Sequence, residues 1–223
     1  MKTSCVFINK LDAYFSSYFK DKKYFVCIYG SYANGHADKA SDVDMFVASN
    51  NLNIKDIESI KTFVIDFHRQ NHLSLDNEVP YDVKLLVDYE DIENAINLNC
   101  FVVDENGQIT IPKIEKTKEF LGSYNVKLRL ILNALSSPHI FLGNDKEKYS
   151  SYKEKAERAV YKLATNLVQK GSQFTAKELV NVLLNSANDE DGELYLGYKK
   201  YKSVKKYLVN LINKHENKND SQL

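Results

Sequence analysis

The chain has 223 residues, of which 43% are hydrophobic and 27% are charged, and its 30 basic and 30 acidic side chains give a formal net charge of zero. This length and composition are typical of a folded protein with one large or two small domains. The charge balance disfavours a protein that tracks a nucleic-acid polymer, because such proteins usually carry a basic surplus.

The expected compartment follows from the apolar segments and the cysteines. No stretch approaches the roughly 18 apolar residues that a membrane span needs, and residues 1–10 do not resemble a secretory signal. Cys5, Cys27 and Cys100 are odd in number and widely spaced in apolar segments, which indicates reduced core residues. A cytoplasmic protein without membrane contact is the expectation.

Hydrophobic periodicity predicts alternating helices and strands in the first half of the chain. The buried strand expected at residues 24–29 leads directly into Gly30 and Ser31. In chain order the predicted elements are a helix at 7–19, strand 24–29, a short helix or turn at 31–40, strand 42–48, helix 54–71, strand 81–87 and helix 89–98.

The second half is expected to become helical. Asn106 and Gly107 between two apolar runs predict a hairpin at the edge of the same sheet. Helices are predicted at residues 116–135, 149–169, 175–184 and 204–212. The predicted fold is therefore α+β, with a mixed sheet flanked by helices in residues 1–115 and an all-helical domain in residues 116–223.

The motif with the clearest chemistry is the pair Asp42 and Asp44. Residues two apart on a strand point to the same face, so both carboxylates can hold a divalent cation between them. Upstream, a turn at Gly30 and Ser31 can present N–H groups and a hydroxyl to phosphate oxygens. Ser31 and Ser41 are separated by nine residues.

This joint pattern resembles the signature of the DNA polymerase β-type nucleotidyltransferase superfamily, in particular its small adenylyltransferase-like members. The signature is a hydrophobic residue, Gly-Ser, a spacer of about ten residues, and Asp-hydrophobic-Asp entering a strand. Here it reads Ile28-Tyr29-Gly30-Ser31, then Ser41-Asp42-Val43-Asp44 after the spacer. Gly35 and Ser41 also match what small members show, and the resemblance covers residues 27–87.

The resemblance implies a third carboxylate on a neighbouring strand, beside the metal nearer the acceptor hydroxyl. Asp82 is the candidate because it begins the next apolar run, in phase with Lys84. Glu78 and Asp88 compete with it, although Glu78 precedes Pro80 and Asp88 comes where the run ends. Two roles are open to Lys84 on the same face, contact with phosphate and neutralisation of the acidic cluster, and the second is the expectation.

The function implied by the resemblance is Mg²⁺-dependent transfer of a nucleoside monophosphate, AMP from ATP, to a hydroxyl of a small molecule such as an antibiotic or of a protein, with release of pyrophosphate. Asp42, Asp44 and Asp82 are the expected metal-binding and catalytic residues. Gly30, Ser31, Ser41 and, across a cleft, Lys153 are the expected nucleotide-binding residues. The alternative is a nucleotide-binding antitoxin or regulatory module that modifies or docks to a partner protein.

The histidines give no metal-ligand pattern. His68 and His72 are four residues apart, a spacing that on a helix would place them on the same side, yet no Glu or Cys stands in a motif position beside them. A zinc site is therefore disfavoured.

Overall fold

The computed structural model of the protein describes the greater part of residues 2–169. The described residues are 2–33, 35, 37, 41–50, 52–75, 80–100, 102–103, 109–110, 124–137 and 139–169.

A four-stranded mixed sheet forms the centre of the fold. Its strands are β1 (Tyr24–Ile28), β2 (Met45–Ser49), β3 (Leu86–Val87) and β6 (Ile140–Gly143), and they lie in the order β3-β2-β1-β6. β1 pairs antiparallel with both β2 and β6, whereas β2 and β3 are parallel. All five residues of β1 and of β2 are buried, as the continuous apolar runs require.

Seven helices accompany the sheet in the described part of the chain, together with the short hairpin strands β4 (Val102–Val103) and β5 (Ile109–Thr110). The helices are α1 (Lys2–Tyr18), α2 (Gly30–Ala33), α3 (Ile54–Gln70), α4 (Tyr81–Lys84), α5 (Tyr89–Ile96), α6 (Tyr124–Ser136) and α7 (Lys146–Gln169).

The sheet separates two hydrophobic clusters. Residues of α1 and α3, including Phe15 and Val64, pack against one face. Residues of α5, α6 and α7, including Ile92 and Leu132, pack against the other. The protein is thus a mixed α/β structure in which the central sheet is covered on both faces.

Helix α3 begins at a capping box. The Asn53 side chain accepts from the backbone N–H groups of Lys55 and Asp56, and the Asp56 carboxylate accepts from the Asn53 N–H. Asp56 also accepts hydrogen bonds from Tyr18 and Lys22, and the hydrogen bonds around this carboxylate hold its pKa below the ordinary value against the opposing effect of burial. These contacts fix α3 against α1.

Several predictions from the sequence are confirmed within the described residues. The helices expected at 7–19, 54–71 and 89–98, and the strands expected at 24–29 and 42–48, are present with shifted ends. The hairpin is present as β4 and β5, but these strands form a sheet of their own and not an edge of the central sheet. The helices expected at 175–184 and 204–212 lie outside the described residues.

Two predictions were wrong. Residues 81–84 form a helical turn, not the start of a strand, so β3 contains only Leu86 and Val87. Strand β6 lies within the stretch that was expected to be all-helical from Lys116 onward, and it pairs with β1 in the central sheet. The division into residues 1–115 and 116–223 stays a prediction.

Among the described residues, none of the helices is both long and apolar enough to cross a membrane.

Candidate active site

One edge of the central sheet collects the residues of the sequence motif. Ile28, the last residue of β1, pairs with Met45 at the start of β2 and with Ile140 at the start of β6. The segment that follows β1 and the segments that precede β2 and β6 therefore meet at this edge. Gly30 comes from the first of these segments, and Asp42 and Asp44 come from the second.

Gly30 is in direct contact with Asp44. The Tyr29 N–H donates to the Asp44 carbonyl oxygen at 2.9 Å, which extends the pairing of β1 and β2 by one residue. Gly30 has a φ of +71°, and a Cβ atom at this position would lie 2.2 Å from Asp44 Oδ2. Glycine is thus required here for its backbone conformation and for the space that the carboxylate occupies.

Asp42 and Asp44 converge on one positive charge. The Lys84 Nζ atom lies 3.7 Å from Asp42 Oδ2 and 3.8 Å from Asp44 Oδ1. The Lys84 side chain is only 4% exposed, whereas those of the two aspartates are 24% and 22% exposed. A buried ammonium needs such partners, and this placement confirms the expectation that Lys84 neutralises the acidic cluster.

The Asp82 carboxylate faces a different lysine. Both of its oxygens accept from Lys61 Nζ at 2.8 Å, and its side chain is 57% exposed. Because residues 81–84 form a helical turn, Asp82 and Lys84 do not share a face as they would on a strand. The structure thus brings Asp42 and Asp44 together and places Asp82 on α4 beside Lys61.

The competing acids have other positions. Asp88 is the N-cap of α5, where its side chain accepts from the Glu90 N–H. Glu78 lies outside the described residues.

A buried histidine supports the backbone between the two aspartates. The Val43 N–H donates to His68 Nε2 at 3.0 Å, and His68 Nδ1 lies 2.7 Å from the Val64 carbonyl oxygen. The His68 side chain is fully buried, and burial lowers its pKa below the ordinary value, with the Val64 contact opposing that effect. His68 is therefore a neutral acceptor toward Val43 near neutral pH.

The remaining predicted residues lie on nearby elements. Ser31 is the second residue of α2, and Ser41 directly precedes Asp42; both are partly buried. Lys153, on α7, pairs with Glu157 at 2.5 Å. Burial lowers the pKa of His139, and the positive charge of Lys153 lowers it further. His139 directly precedes β6 at the same edge of the sheet.

The carboxylates at this edge are possible ligands of a divalent cation. Asp42 and Asp44 provide carboxylate oxygens, the hard donors that Mg²⁺ prefers. The same carboxylates already face one positive charge, that of Lys84. Across the part of the chain that the structure describes, no group of three or more His, Cys, Asp or Glu side chains could hold a metal ion. Asp42 and Asp44 therefore supply two carboxylates for a cation, and among the described residues no third His, Cys, Asp or Glu completes a metal-binding group with them.

Sequence reasoning missed the roles of His68 and Lys61. A signal for His68 was available, because it follows Val64 by four residues and so lies on the apolar face of α3. A polar side chain on such a face needs a buried partner. No comparable signal marks Lys61 in the sequence.

A mixed sheet that brings Gly30, Ser31 and two converging aspartates to one edge is the arrangement that the resemblance to nucleotidyltransferases predicts. A family model described as a nucleotidyltransferase domain matches residues 8–155, more than half of the chain, and the chain therefore belongs to this family. This family membership agrees with the resemblance to the DNA polymerase β-type superfamily and implies a nucleoside triphosphate as substrate. No curated protein and no solved structure gave a significant match.

Proposed function

We propose that the protein transfers AMP from ATP, with Mg²⁺, to a hydroxyl group of a small molecule such as an antibiotic. The observation that supports this proposal is the convergence of Asp42 and Asp44, each within 4 Å of Lys84 Nζ, beside the Gly30 turn. In this reaction the acceptor oxygen bonds to the α-phosphorus, and the bond from that phosphorus to the bridging oxygen breaks. Pyrophosphate leaves with the electron pair of that bond.

Asp42 and Asp44 are the residues that would hold the metal. A divalent cation held there would supply positive charge to offset the charge of the transferring group and would help to align the reacting oxygens. The two aspartates would fix the position of that cation relative to Gly30. Ser31 and the N–H groups of the same turn, together with Ser41, are proposed to bind the β- and γ-phosphates.

Asp82 is proposed as the third carboxylate, which receives the proton of the acceptor hydroxyl. In the structure its carboxylate is held by Lys61, so this role requires a rotation of the Asp82 side chain away from Lys61. The pair is exposed, and exposed ion pairs contribute only about 0–1 kcal/mol, so the rotation has a small energetic cost. Lys153 would reach the triphosphate only after leaving Glu157.

The test is pyrophosphate release from ATP and Mg²⁺ in the presence of a panel of hydroxylated acceptors, including aminoglycosides. Asp42→Asn and Asp44→Asn are expected to lower turnover by at least about 100-fold, because a direct metal ligand contributes more than an outer-shell partner, whose loss costs about 10- to 100-fold. Asp66→Asn is the matched control, since Asp66 is an exposed acid on α3 that pairs with Arg69.

The outcomes separate the proposal from its alternative. Turnover in the wild type and in Asp66→Asn, but not in the two site variants, supports an enzyme of this mechanism. Retained turnover in either site variant contradicts it. Absence of pyrophosphate release with every acceptor would instead favour a module that docks to a partner protein.

A further inference from the structure

The backbone N–H of Val43 determines how the two aspartates are presented. It belongs to the peptide group that joins Asp42 to Val43, so its direction constrains the dihedral angles on both sides of that peptide. Asp44 is already fixed on its other side, because its carbonyl oxygen accepts from the Tyr29 N–H. A partner for the Val43 N–H therefore restricts the peptide group between Asp42 and Val43, which the Tyr29 contact does not hold.

The sheet does not provide that partner. Val47 donates its N–H to the Leu85 carbonyl oxygen, on the β3 side of β2. Along an extended chain, amides separated by an even number of residues point to the same side, so the Val43 N–H faces that side as well. The pairing of β2 with β3 begins only at Val47 and Leu86, because α4 interrupts the chain before β3.

His68 occupies the place that a strand would have filled. Its Nε2 atom lies 3.0 Å from the Val43 nitrogen, while its Nδ1 atom lies 2.7 Å from the Val64 carbonyl oxygen on its own helix. A backbone amide can only donate, so Nε2 must carry the lone pair and Nδ1 must carry the proton. Both ring nitrogens are then satisfied in a side chain that is fully buried.

We propose that His68 is a positioning residue of the active site, which holds the Asp42–Asp44 backbone through the Val43 N–H so that both carboxylates face the cation. This inference rests on the proposed function, because it concerns the affinity of the same two aspartates for metal. His68 would act on a bound cation only indirectly, through the Val43 N–H between the two aspartates.

Two substitutions separate hydrogen bonding from packing. His68→Gln places an amide oxygen where Nε2 lies and keeps an acceptor for the Val43 N–H. His68→Asn is shorter and reaches only the position of Nδ1, so it loses that contact. His72→Asn is the matched control, since His72 is exposed and has a φ of +53°, which asparagine adopts readily.

The experiment measures Mn²⁺ affinity by titration of the full chain, with the free energy of unfolding in urea as a second readout. His68→Asn is expected to weaken Mn²⁺ binding by about 10- to 100-fold, as loss of an outer-shell partner usually does. His68→Gln is expected to retain most of the wild-type affinity, and His72→Asn all of it. Equal affinities in His68→Asn and His72→Asn, or equal losses in His68→Gln and His68→Asn, would overturn the inference.

A measurement on the wild type does not depend on any variant folding. In protein with ¹⁵N-labelled histidine, the His68 ring is expected to show a proton on Nδ1 and none on Nε2; the opposite tautomer would overturn the inference. Failure of the proposed function is distinguishable, because a wild type that binds no Mn²⁺, or an Asp42→Asn variant that binds it normally, would remove the metal site itself.

Discussion

Replacement of Gly30 by alanine tests whether the position of the Asp44 carboxylate matters for metal binding. A Cβ atom at Gly30 would lie 2.2 Å from Asp44 Oδ2 and 3.1 Å from Asp44 Cγ. Carbon and oxygen approach each other no closer than about 3.3 Å in favourable contacts. The oxygen must therefore retreat by about 1 Å, which is twice the tolerance of about 0.5 Å within which functional groups must be held.

The cost to stability is separable from this displacement. Gly30 has a φ of +71°, and an L-residue in that region loses about 1–2 kcal/mol. Gly35 has a φ of +72° and nothing within 4 Å of its Cβ position, so Gly35→Ala carries the same backbone strain without the clash. The two variants are expected to lose similar free energy of unfolding, since the Asp44 carboxylate is the end of a side chain and can rotate.

Their functions are expected to differ. A misplacement of about 1 Å can lower turnover by about 100-fold, so Gly30→Ala is expected to lose turnover and Mn²⁺ affinity, whereas Gly35→Ala keeps Mn²⁺ affinity. The assays are urea unfolding, Mn²⁺ titration and pyrophosphate release. If Gly30→Ala bound Mn²⁺ as tightly as Gly35→Ala, or if both lost it equally, the contact between Gly30 and Asp44 would not control the site.

Three further perturbations address the charges around the site and the half-buried His139. Lys84→Met leaves two carboxylates without their ammonium partner. We expect this variant to lower the free energy of unfolding of the metal-free protein by about 1–3 kcal/mol, less than for a fully buried pair. We also expect it to raise Mn²⁺ affinity, because the ammonium group no longer repels the cation. Asp82→Asn is expected to lower turnover by at least about 100-fold, the lower end of what a general base contributes. Lys61→Met, which removes the partner of Asp82, is expected to retain turnover. The free energy of unfolding of both variants in urea should change by less than about 1 kcal/mol, because the pair is exposed. Burial lowers the pKa of His139 below 6.5, so the unfolded chain binds a proton at a higher pH than the folded protein does. The free energy of unfolding should therefore fall as pH drops below about 6.5, by at most about 1.4 kcal/mol per pH unit. His139→Gln should reduce that slope, measured by urea unfolding at pH 7.5 and 5.5.

Each of these expectations has an outcome that contradicts it. A loss of Mn²⁺ affinity in Lys84→Met would mean that the lysine supports the aspartates and does not compete with metal. Equal loss of turnover in Asp82→Asn and Lys61→Met would mean that the ion pair itself is needed. Loss of turnover in Asp88→Asn, which keeps an N-cap residue at α5, would make Asp88 the third carboxylate. An unchanged slope in His139→Gln would show that His139 does not contribute to the acid sensitivity.

The elements that the sequence predicted correctly are those with strong local signals. Strand β1 is a continuous apolar run that ends at a glycine, and α3 has both a helical apolar face and a capping box at Asn53. The convergence of Asp42 and Asp44 followed from the two-residue period of a strand. In these cases local pattern and tertiary burial favour the same conformation.

The features that were missed depend on contacts between distant parts of the chain. The alternation in Asp82-Val83-Lys84 suits a strand, but Pro80 precedes a helical turn in which Lys84 is buried against the aspartates and over the ring of Tyr81 at 5.0 Å. Strand β6 has only four residues and is defined by pairing with β1, more than 100 residues earlier in the chain. Neither arrangement can be read from a window of neighbouring residues.

The positions of the two lysines have a consequence for how the site would load. Lys84 lies between Asp42 and Asp44, and Lys61 binds Asp82, so two of the three charges on the proposed carboxylate trio are balanced by ammonium groups. A divalent cation at the aspartate pair would stand close to Lys84 and be repelled by it, so Lys84 must shift as the metal enters. Because Lys84 is the last residue of α4 and Asp82 is its second, one movement of this four-residue helix would change both contacts together. Metal binding and release of Asp82 from Lys61 are therefore expected to be coupled, and Lys61→Met should raise the Mn²⁺ affinity of the aspartate pair if they are.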